Sequence, residues 1–204
     1  MAARNTRPGH PAGAMNPRSR AALAGTALLL AIPAAKILEG KSNRAYLDVA
    51  AVPTACYGQT GPRVRMGEVY SDLTCERWLH EQLLAFHQGI RRCVTQPMSP
   101  PQAAALTLFA YNVGLDGACG SAAVRHANRG DWKSACRALQ YNERGQPAWS
   151  YVTDAASGRK RFVQGLANRR AAERALCERA ADQTADRVVS IDTILVKHVT
   201  DHME

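Results

Sequence analysis

Six cysteines constrain this chain more than any other feature, because an even set of cysteines in a small exported domain is usually joined as disulfides. None belongs to a Cys-x-x-Cys pair, the spacing typical of metal and redox sites. They are Cys56, Cys75, Cys93, Cys119, Cys136 and Cys177. Their order along the chain leaves the pairing open at this point. Disulfides also require an oxidising compartment, and all six cysteines follow a segment that resembles an export signal.

An arginine-rich N-terminus followed by an apolar run indicates this export. The run reads AALAGTALLLAIPAA over residues 21–35, and no acidic residue precedes Glu39. Positive residues before a short apolar run are typical of a secretory signal. The run falls short of the roughly 20 apolar residues of a permanent span, and Pro33 and Lys36 disrupt a cleavage site. We therefore interpret 21–37 as a signal-anchor that is exported and retained, with an ordinary cleaved signal as the alternative.

The composition of the chain narrows its partners. Residues 1–20, rich in Pro, Gly and Arg, are expected to form a disordered basic leader, within which Met15 is an alternative start. The net charge of +9 favours an anionic partner, although a solvated basic face without a partner is the alternative. The chain has no glycine-rich phosphate loop, zinc-type spacing or RNA-binding aromatic motif. We therefore expect a membrane surface or a cell-wall polymer rather than nucleic acid, with no metal and no cofactor.

The residues after the apolar run predict a small β region followed by helices. Residues 45–69 combine strand formers with the turn-prone GQTGPR, which predicts a β-hairpin. Apolar residues then recur every three or four positions from Asp72 to Val94, which predicts one long amphipathic helix. Ser99, with Gln102 three residues later, predicts a capping box that opens a helix apolar on nearly all sides. That helix is expected to be buried at the centre of its lobe.

Shorter elements complete the predicted architecture. Segments 121–130 and 131–139 predict two short helices, and 166–181 predicts the last strong helix. The stretch around Trp149 and Tyr151 is interpreted as a loop-rich link. Together these elements predict an α+β fold, with a small β-hairpin lobe and a larger helical lobe joined by the long helix, and with an apolar helix at the N-terminus. The cleft between the lobes is the expected ligand site.

Two carboxylates and a hydroxyl come directly after the apolar run. Glu39 lies at its end, where loss of water would favour a protonated acid, and Asp48 lies at the start of the polar hairpin, where water would keep it ionised. Cleavage of a glycosidic bond uses such a pair, since one carboxyl protonates the leaving oxygen while the other assists water. Thr54 is placed to hold a water molecule near Asp48. A single Glu and Asp at this spacing are also common as solvated surface acids.

The surrounding sequence makes the pair specific. The residues LEG, followed by AYLDVAAVPTACYGQTG, resemble the active-site stretch of the phage-type lysozymes, glycoside hydrolase family 24. The resemblance continues with AYNVG, GDWKSAC and GLANRRAAERALC, and it covers about residues 38–180. The apolar start is further similar to the signal-anchor-release endolysins of lambdoid phages. The chain departs from the family pattern at Gln59, where the family usually has His, so a charge pair is not expected at this turn.

The resemblance implies a lysozyme domain over 38–181, followed by a tail, 182–204, without an assigned role. Glu39 would be the general acid, Asp48 would orient the attacking water or stabilise the positively charged transition state, and Thr54 would help to hold that water.

Further roles follow from the same resemblance. Arg169 matches the arginine that pairs with the catalytic Glu from the last helix, and a role only in stabilising the lobe interface is the alternative. Asn112 matches an amide that contacts sugar, and Tyr111 matches a neighbouring wall position, for which core packing is the alternative. The family fold also narrows the cysteine pairing to neighbouring elements. The implied disulfides are Cys56–Cys75, Cys93–Cys119 and Cys136–Cys177.

The implied function is hydrolysis of the β-1,4 bond between N-acetylmuramic acid and N-acetylglucosamine in peptidoglycan, which would lyse the host at the end of the phage cycle. A lytic transglycosylase and a non-catalytic wall-binding protein are the alternatives. Asp48 and Thr54 argue against the transglycosylase, because both serve an external water. The expected partners are glycan strands, the host inner membrane and the secretion machinery. We expect a monomer, tethered to the inner membrane and then released into the periplasm.

Overall fold

The structure, a computed structural model, describes residues 17–48, 51–154 and 157–179. The expected tail, 182–204, and the first part of the expected leader lie outside the described residues. The helices are α1 (Pro17–Glu39), α2 (Asp72–Cys93), α3 (Pro100–Val113), α4 (Leu115–Cys119), α5 (Ala122–Asn128), α6 (Trp132–Gln140) and α7 (Gln164–Cys177). The strands are β1 (Ser42–Leu47), β2 (Pro53–Cys56), β3 (Tyr151–Thr153) and β4 (Lys160–Phe162). Strands β1 and β2 form one antiparallel hairpin, and β3 and β4 form another. This arrangement confirms the expected α+β class.

Helix α3 is the centre of the helical lobe. Its N-terminus carries the expected capping box, in which the Ser99 hydroxyl accepts from the Gln102 backbone N–H while the Gln102 side chain accepts from the Ser99 N–H. The helix is apolar on nearly all sides and most of its residues are buried. Helices α1, α2, α4 and α7 all pack against it. The long helix α2 begins at its cap Ser71 and connects the lobe to the β1–β2 hairpin.

Helix α1 runs without a break through the expected signal-anchor and ends at Glu39. Its buried face contacts mainly α3 and, to a lesser extent, α2. This face repeats every three or four positions, as a helix packed on one side requires. It consists of Ala27, Leu30, Ala31, Ala34 and Ala35. The boundary expected at residue 37 therefore falls inside a helix whose side chains belong to the core.

Within the part of the chain that the structure describes, no helix combines the length and the mean hydropathy needed to cross a membrane.

The structure differs from the sequence predictions in four places. Helix α1 begins at Pro17, four residues inside the expected leader, because proline suits the first turn of a helix. Gly114 ends α3 as expected, but α4 follows at once and is too short for apolar periodicity to reveal it. The link around Trp149 contains the β3–β4 hairpin, whose exposed three-residue strands carry no alternating pattern. Helix α7 ends at Cys177 rather than at residue 181.

All six cysteines are joined in the structure, in the pairs that the resemblance implied. Cys56–Cys75 joins β2 to α2, Cys93–Cys119 joins the end of α2 to α4, and Cys136–Cys177 joins α6 to α7. Each closes a loop of moderate length and is expected to stabilise the domain by about 2–4 kcal/mol.

The packing of α1 can be tested with two adjacent leucines. Leu30 is 3% exposed and Leu29 is 65% exposed. Leu30→Ala should lower the free energy of unfolding by about 2–5 kcal/mol, because it leaves a cavity against α3. The matched control Leu29→Ala should change it by less than about 0.5 kcal/mol. Urea unfolding followed by tryptophan fluorescence measures both values. Equal effects of the two substitutions would contradict the packing described here.

Candidate active site

The end of α1 fixes the position of Glu39. Glu39 is the last residue of the helix, and Gly40 follows it with φ at +67°, a conformation that lets the chain turn sharply into β1. The helix end is held on α2 by an ion pair between Lys36 Nζ and Glu76 Oε1 at 2.5 Å. The Glu39 side chain is only 17% exposed. The Glu39 carboxyl is therefore partly buried, and the helix turn that carries it is fixed on α2.

Arg169 of α7 holds the Glu39 carboxylate. Its Nη2 donates to Glu39 Oε1 at 2.6 Å, across 130 positions of sequence. The Arg169 side chain is also buried. Burial lowers the pKa of the Arg169 guanidinium, but the bonds to Glu39 and Glu173 raise it by more, so that the pKa lies above its usual value. The arginine thus remains charged and provides a permanent cation for Glu39.

The buried carboxylate of Glu173 supports Arg169 through a second set of ion pairs. Glu173 Oε1 accepts from Arg169 Nε at 3.3 Å and from Arg170 Nη2 at 2.7 Å. Burial raises the pKa of the Glu173 carboxyl, and the two arginines oppose this rise without cancelling it. The same Arg170 nitrogen donates to Asn112 Oδ1 at 2.9 Å. The network therefore connects Glu39 to Asn112, two of the residues that the resemblance singled out.

Asp48 and Thr54 lie on the β1–β2 hairpin, and both bond to the backbone of Val52. Asp48 Oδ1 accepts from the Val52 N–H at 2.9 Å, and the Thr54 hydroxyl donates to the Val52 carbonyl at 3.0 Å. That carbonyl also accepts from the Asp48 N–H at 3.1 Å. Thr54 is buried, opposite Tyr46 in the strand register. The structure thus connects Asp48 with Thr54 through one residue, and their roles on substrate stay predictions.

The hydroxyl of Tyr111 makes hydrogen bonds to other residues of the domain. Its hydroxyl donates to the Tyr57 carbonyl at 2.8 Å and accepts from Gln59 Nε2 at 3.2 Å. Burial raises the pKa of this hydroxyl, and the nearby charge of Glu39 raises it further. Its expected contact with sugar stays a prediction, as does that of Asn112, which is exposed at the end of α3.

Sequence reasoning missed three contributors to this site. Arg170 and Glu173 were visible as two charges three positions apart on one helix, a spacing that places them side by side. The sequence identified Gly58 only as a turn residue and gave no sign that it approaches Glu39. In the structure its φ is +84°, and a Cβ placed there would lie 3.6 Å from Glu39 Oε2. The turn therefore approaches the oxygen of Glu39 that does not bond to Arg169.

Across residues 17–48, 51–154 and 157–179, no group of three or more histidine, cysteine, aspartate or glutamate side chains is placed to hold a metal ion.

A comparison with known protein families finds a match that spans the residues described above. The model of the phage lysozyme family matches residues 36–173, which include Glu39, Asp48, Thr54 and the α7 network. The chain belongs to the phage lysozyme family.

Relatives and solved structures extend the family match. A SAR-endolysin of Pseudomonas phage phiKMV is 33% identical over 162 residues, covering 79% of this chain and 94% of the relative. A SAR-endolysin of Escherichia phage Mu is 35% identical over 140 residues, covering 68% and 73%. The endolysin from Escherichia coli O157:H7 phage FAHEc1 superposes with a TM-score of 0.65 at 26% identity, covering 73% of this chain and 90% of that one. These findings confirm the lysozyme-like fold and the expected endolysin family.

Arg169 and Arg174 provide a matched test of the network, since both are arginines of α7. Arg169→Met should lower the free energy of unfolding by about 3 kcal/mol, because it leaves Glu39 partly buried without its cation. Arg174 pairs with Glu178 near the surface, so Arg174→Met should cost less than about 1 kcal/mol. Thermal and urea unfolding measure both. A loss for Arg169→Met no larger than for the control would contradict a stabilising role for the ion pair.

Proposed function

We propose that this phage lysozyme family member is a muramidase, which hydrolyses the β-1,4 bond between N-acetylmuramic acid and N-acetylglucosamine. The observation that carries the proposal is the state of Glu39. One of its oxygens is bonded to Arg169, while the other lies beside the Gly58 turn. A carboxyl held in this way has a fixed orientation and one oxygen directed away from the arginine, which a general acid requires.

The proposed mechanism uses three side chains. Glu39 gives its proton to the glycosidic oxygen as the bond to the anomeric carbon breaks, and Arg169 then stabilises the carboxylate that remains. A water molecule attacks the anomeric carbon and loses its proton to Asp48. Thr54, which shares the Val52 backbone with Asp48, helps to hold that water. Asn112 contacts the glycan, and the protein acts as a monomer without a cofactor.

The alternatives differ from the muramidase in what attacks the anomeric carbon. In a lytic transglycosylase the hydroxyl of the sugar itself attacks, and the product has a 1,6-anhydro end instead of a reducing end. Asp48 and Thr54 are present and fixed on the hairpin, which favours an external water. A non-catalytic wall-binding protein would have no need of an acid that is oriented by a buried arginine.

Substitution of Glu39 tests the proposal. Glu39→Gln keeps the size of the side chain but removes the acidic proton, so lysis of outer-membrane-permeabilised Gram-negative cells should fall by at least about 100-fold. The control is Glu81→Gln, which changes a half-exposed carboxylate on α2 that pairs with Arg63 and should leave activity near the wild-type value. Purified peptidoglycan should yield new reducing ends with the wild type.

Full activity of Glu39→Gln would show that the acid is assigned wrongly, and 1,6-anhydro products would favour the transglycosylase. These assays require the full chain, because α1 residues before position 38 belong to the core.

We further propose that α1 is a signal-anchor, which the host exports and which tethers the protein in the inner membrane until release. The buried face of α1 supports this proposal physically. The same alanines and Leu30 that pack on α3 would be in lipid while the segment is tethered. Glu39 would then be held at the lipid surface, away from Arg169 on α7. Release of α1 would therefore complete both the core and the active site.

Membrane fractionation tests the anchor. The full-length protein should sediment with membranes in growing cells and become soluble after an uncoupler without a change in size. The reason is that each apolar residue adds only tenths of a kcal/mol to insertion, and Lys36 lies at one end of the segment. A smaller soluble product would instead indicate a cleaved signal, and retention in the membrane after depolarisation would contradict release.

A further inference from the structure

The chain turns back on itself between Ala55 and Gln59, at the end of β2. The backbone N–H of each of these two residues donates to the carbonyl of the other at 2.9 Å. Cys56 within the turn has a positive φ of 60° and is bonded to Cys75 of α2. Gly58 has φ at +84°, a conformation that side chains rarely adopt. We refer to residues 55–59 as the closed turn.

The Gln59 side chain holds the closed turn from inside. Gln59 is 2% exposed. Its Oε1 accepts from the Tyr57 N–H at 2.7 Å, and its Nε2 donates to the Tyr111 hydroxyl at 3.2 Å. The amide therefore uses its acceptor on the turn itself and its donor on α3.

Tyr111 joins three elements at one oxygen. Its hydroxyl donates to the Tyr57 carbonyl at 2.8 Å and lies 3.2 Å from Gln82 Oε1 on α2. Its ring packs edge-on against Phe86 of α2, with the ring centroids 5.6 Å apart. Gln59, Tyr111 and Gln82, which we call the amide hub, thus fix the closed turn to both α2 and α3.

The closed turn carries Gly58 to the catalytic carboxyl. A Cβ at Gly58 would lie 3.6 Å from Glu39 Oε2, whereas Arg169 bonds to Oε1. Since Glu39 belongs to α1 and Gly58 to the hairpin, their approach depends on how the turn is fixed to the helical lobe. We propose that Gln59 is a positioning residue, which acts through Tyr111 and the closed turn to set the backbone of Gly58 against the reacting oxygen of Glu39.

This inference rests on the proposed muramidase activity, because it assigns Oε2 as the oxygen that faces the glycosidic bond. It also gives a physical meaning to the amide at position 59. An amide provides an acceptor oxygen and a donor nitrogen without adding charge. The charge balance around Glu39 is therefore set by Arg169 and not by the support beneath the turn.

The test compares two glutamines whose side-chain oxygens each accept a backbone N–H. Gln59→Met preserves approximate volume but removes the bonds to the Tyr57 N–H and to the Tyr111 hydroxyl. Gln102→Met is the matched control, because Gln102 Oε1 also accepts a backbone N–H, that of Ser99 at 2.8 Å. Both changes are expected to lower the melting temperature, so rates are measured on full-length protein at a temperature where both variants are folded. Soluble peptidoglycan fragments serve as substrate, so that kcat and KM can be separated.

For Gln59→Met we expect kcat to fall by about 10- to 100-fold with little change in KM, as for a small misplacement of a reacting group. Gln102→Met should retain the wild-type kcat. Tyr111→Phe combined with Gln59→Met should cost little more than the larger single change, since both residues belong to one hub. A wild-type kcat for Gln59→Met, or equal losses of kcat in the two glutamine variants, would overturn the proposal.

A readout independent of activity separates this inference from the proposed function. Hydrogen exchange at the Tyr57 amide should be faster in Gln59→Met than in wild type, and the 13C resonance of the Glu39 carboxyl should move. Both should remain unchanged in Gln102→Met. If the wild type released no reducing ends, the muramidase proposal would fail, while these two measurements would still decide whether Gln59 positions Glu39. Unchanged exchange and resonance in Gln59→Met would overturn the positioning role by themselves.

Discussion

The ion pair between Glu39 and Arg169 is the interaction on which the rest of the site depends. It joins the end of the first helix to the last helix over 130 positions of sequence, with a distance of 2.6 Å. Desolvating two charges is costly, and the cost is repaid only when the remaining hydrogen-bonding groups are also satisfied. Glu173 supplies a second carboxylate to Arg169, and the closed turn covers the opposite side of Glu39. The Glu39 carboxyl is therefore flanked by α7 on one side and by the closed turn on the other.

The alanine-rich face of α1 packs on α3 in the folded domain and would lie in lipid in the proposed tethered state. In the folded domain, small side chains let the helix approach α3 closely, and Ala31 and Ala35 are fully buried. Alanine side chains are only weakly apolar, so they contribute little to the free energy of membrane insertion in the proposed tethered state. A strongly apolar anchor would favour lipid, and a polar helix would have no face for the core. The composition of α1 thus agrees with the proposal that this segment leaves the bilayer and then packs into the core.

Much of the architecture followed from periodicity, capping and turn residues. The amphipathic α2 and the capping box of α3 could be predicted because each depends only on residues close together in the sequence. The β3–β4 hairpin and α4 were missed because elements of three to five residues are too short to show a period. The contact of Arg169 with Glu39 could be inferred only by resemblance, since no local rule relates residues so far apart. The support of the closed turn by Gln59 could not be predicted either, because the sequence does not show that this polar turn residue is buried.

A double-mutant cycle on the ion pair tests the account most directly. Glu39→Gln, Arg169→Met and the double variant would be compared with wild type by urea unfolding under conditions where all four proteins are folded. If the pair joins α1 to α7 as described, the two changes should be non-additive, with a coupling energy of about 1–3 kcal/mol. Additivity within about 0.5 kcal/mol would show that the residues act independently. That result would contradict the claim that Arg169 holds the Glu39 carboxyl in place.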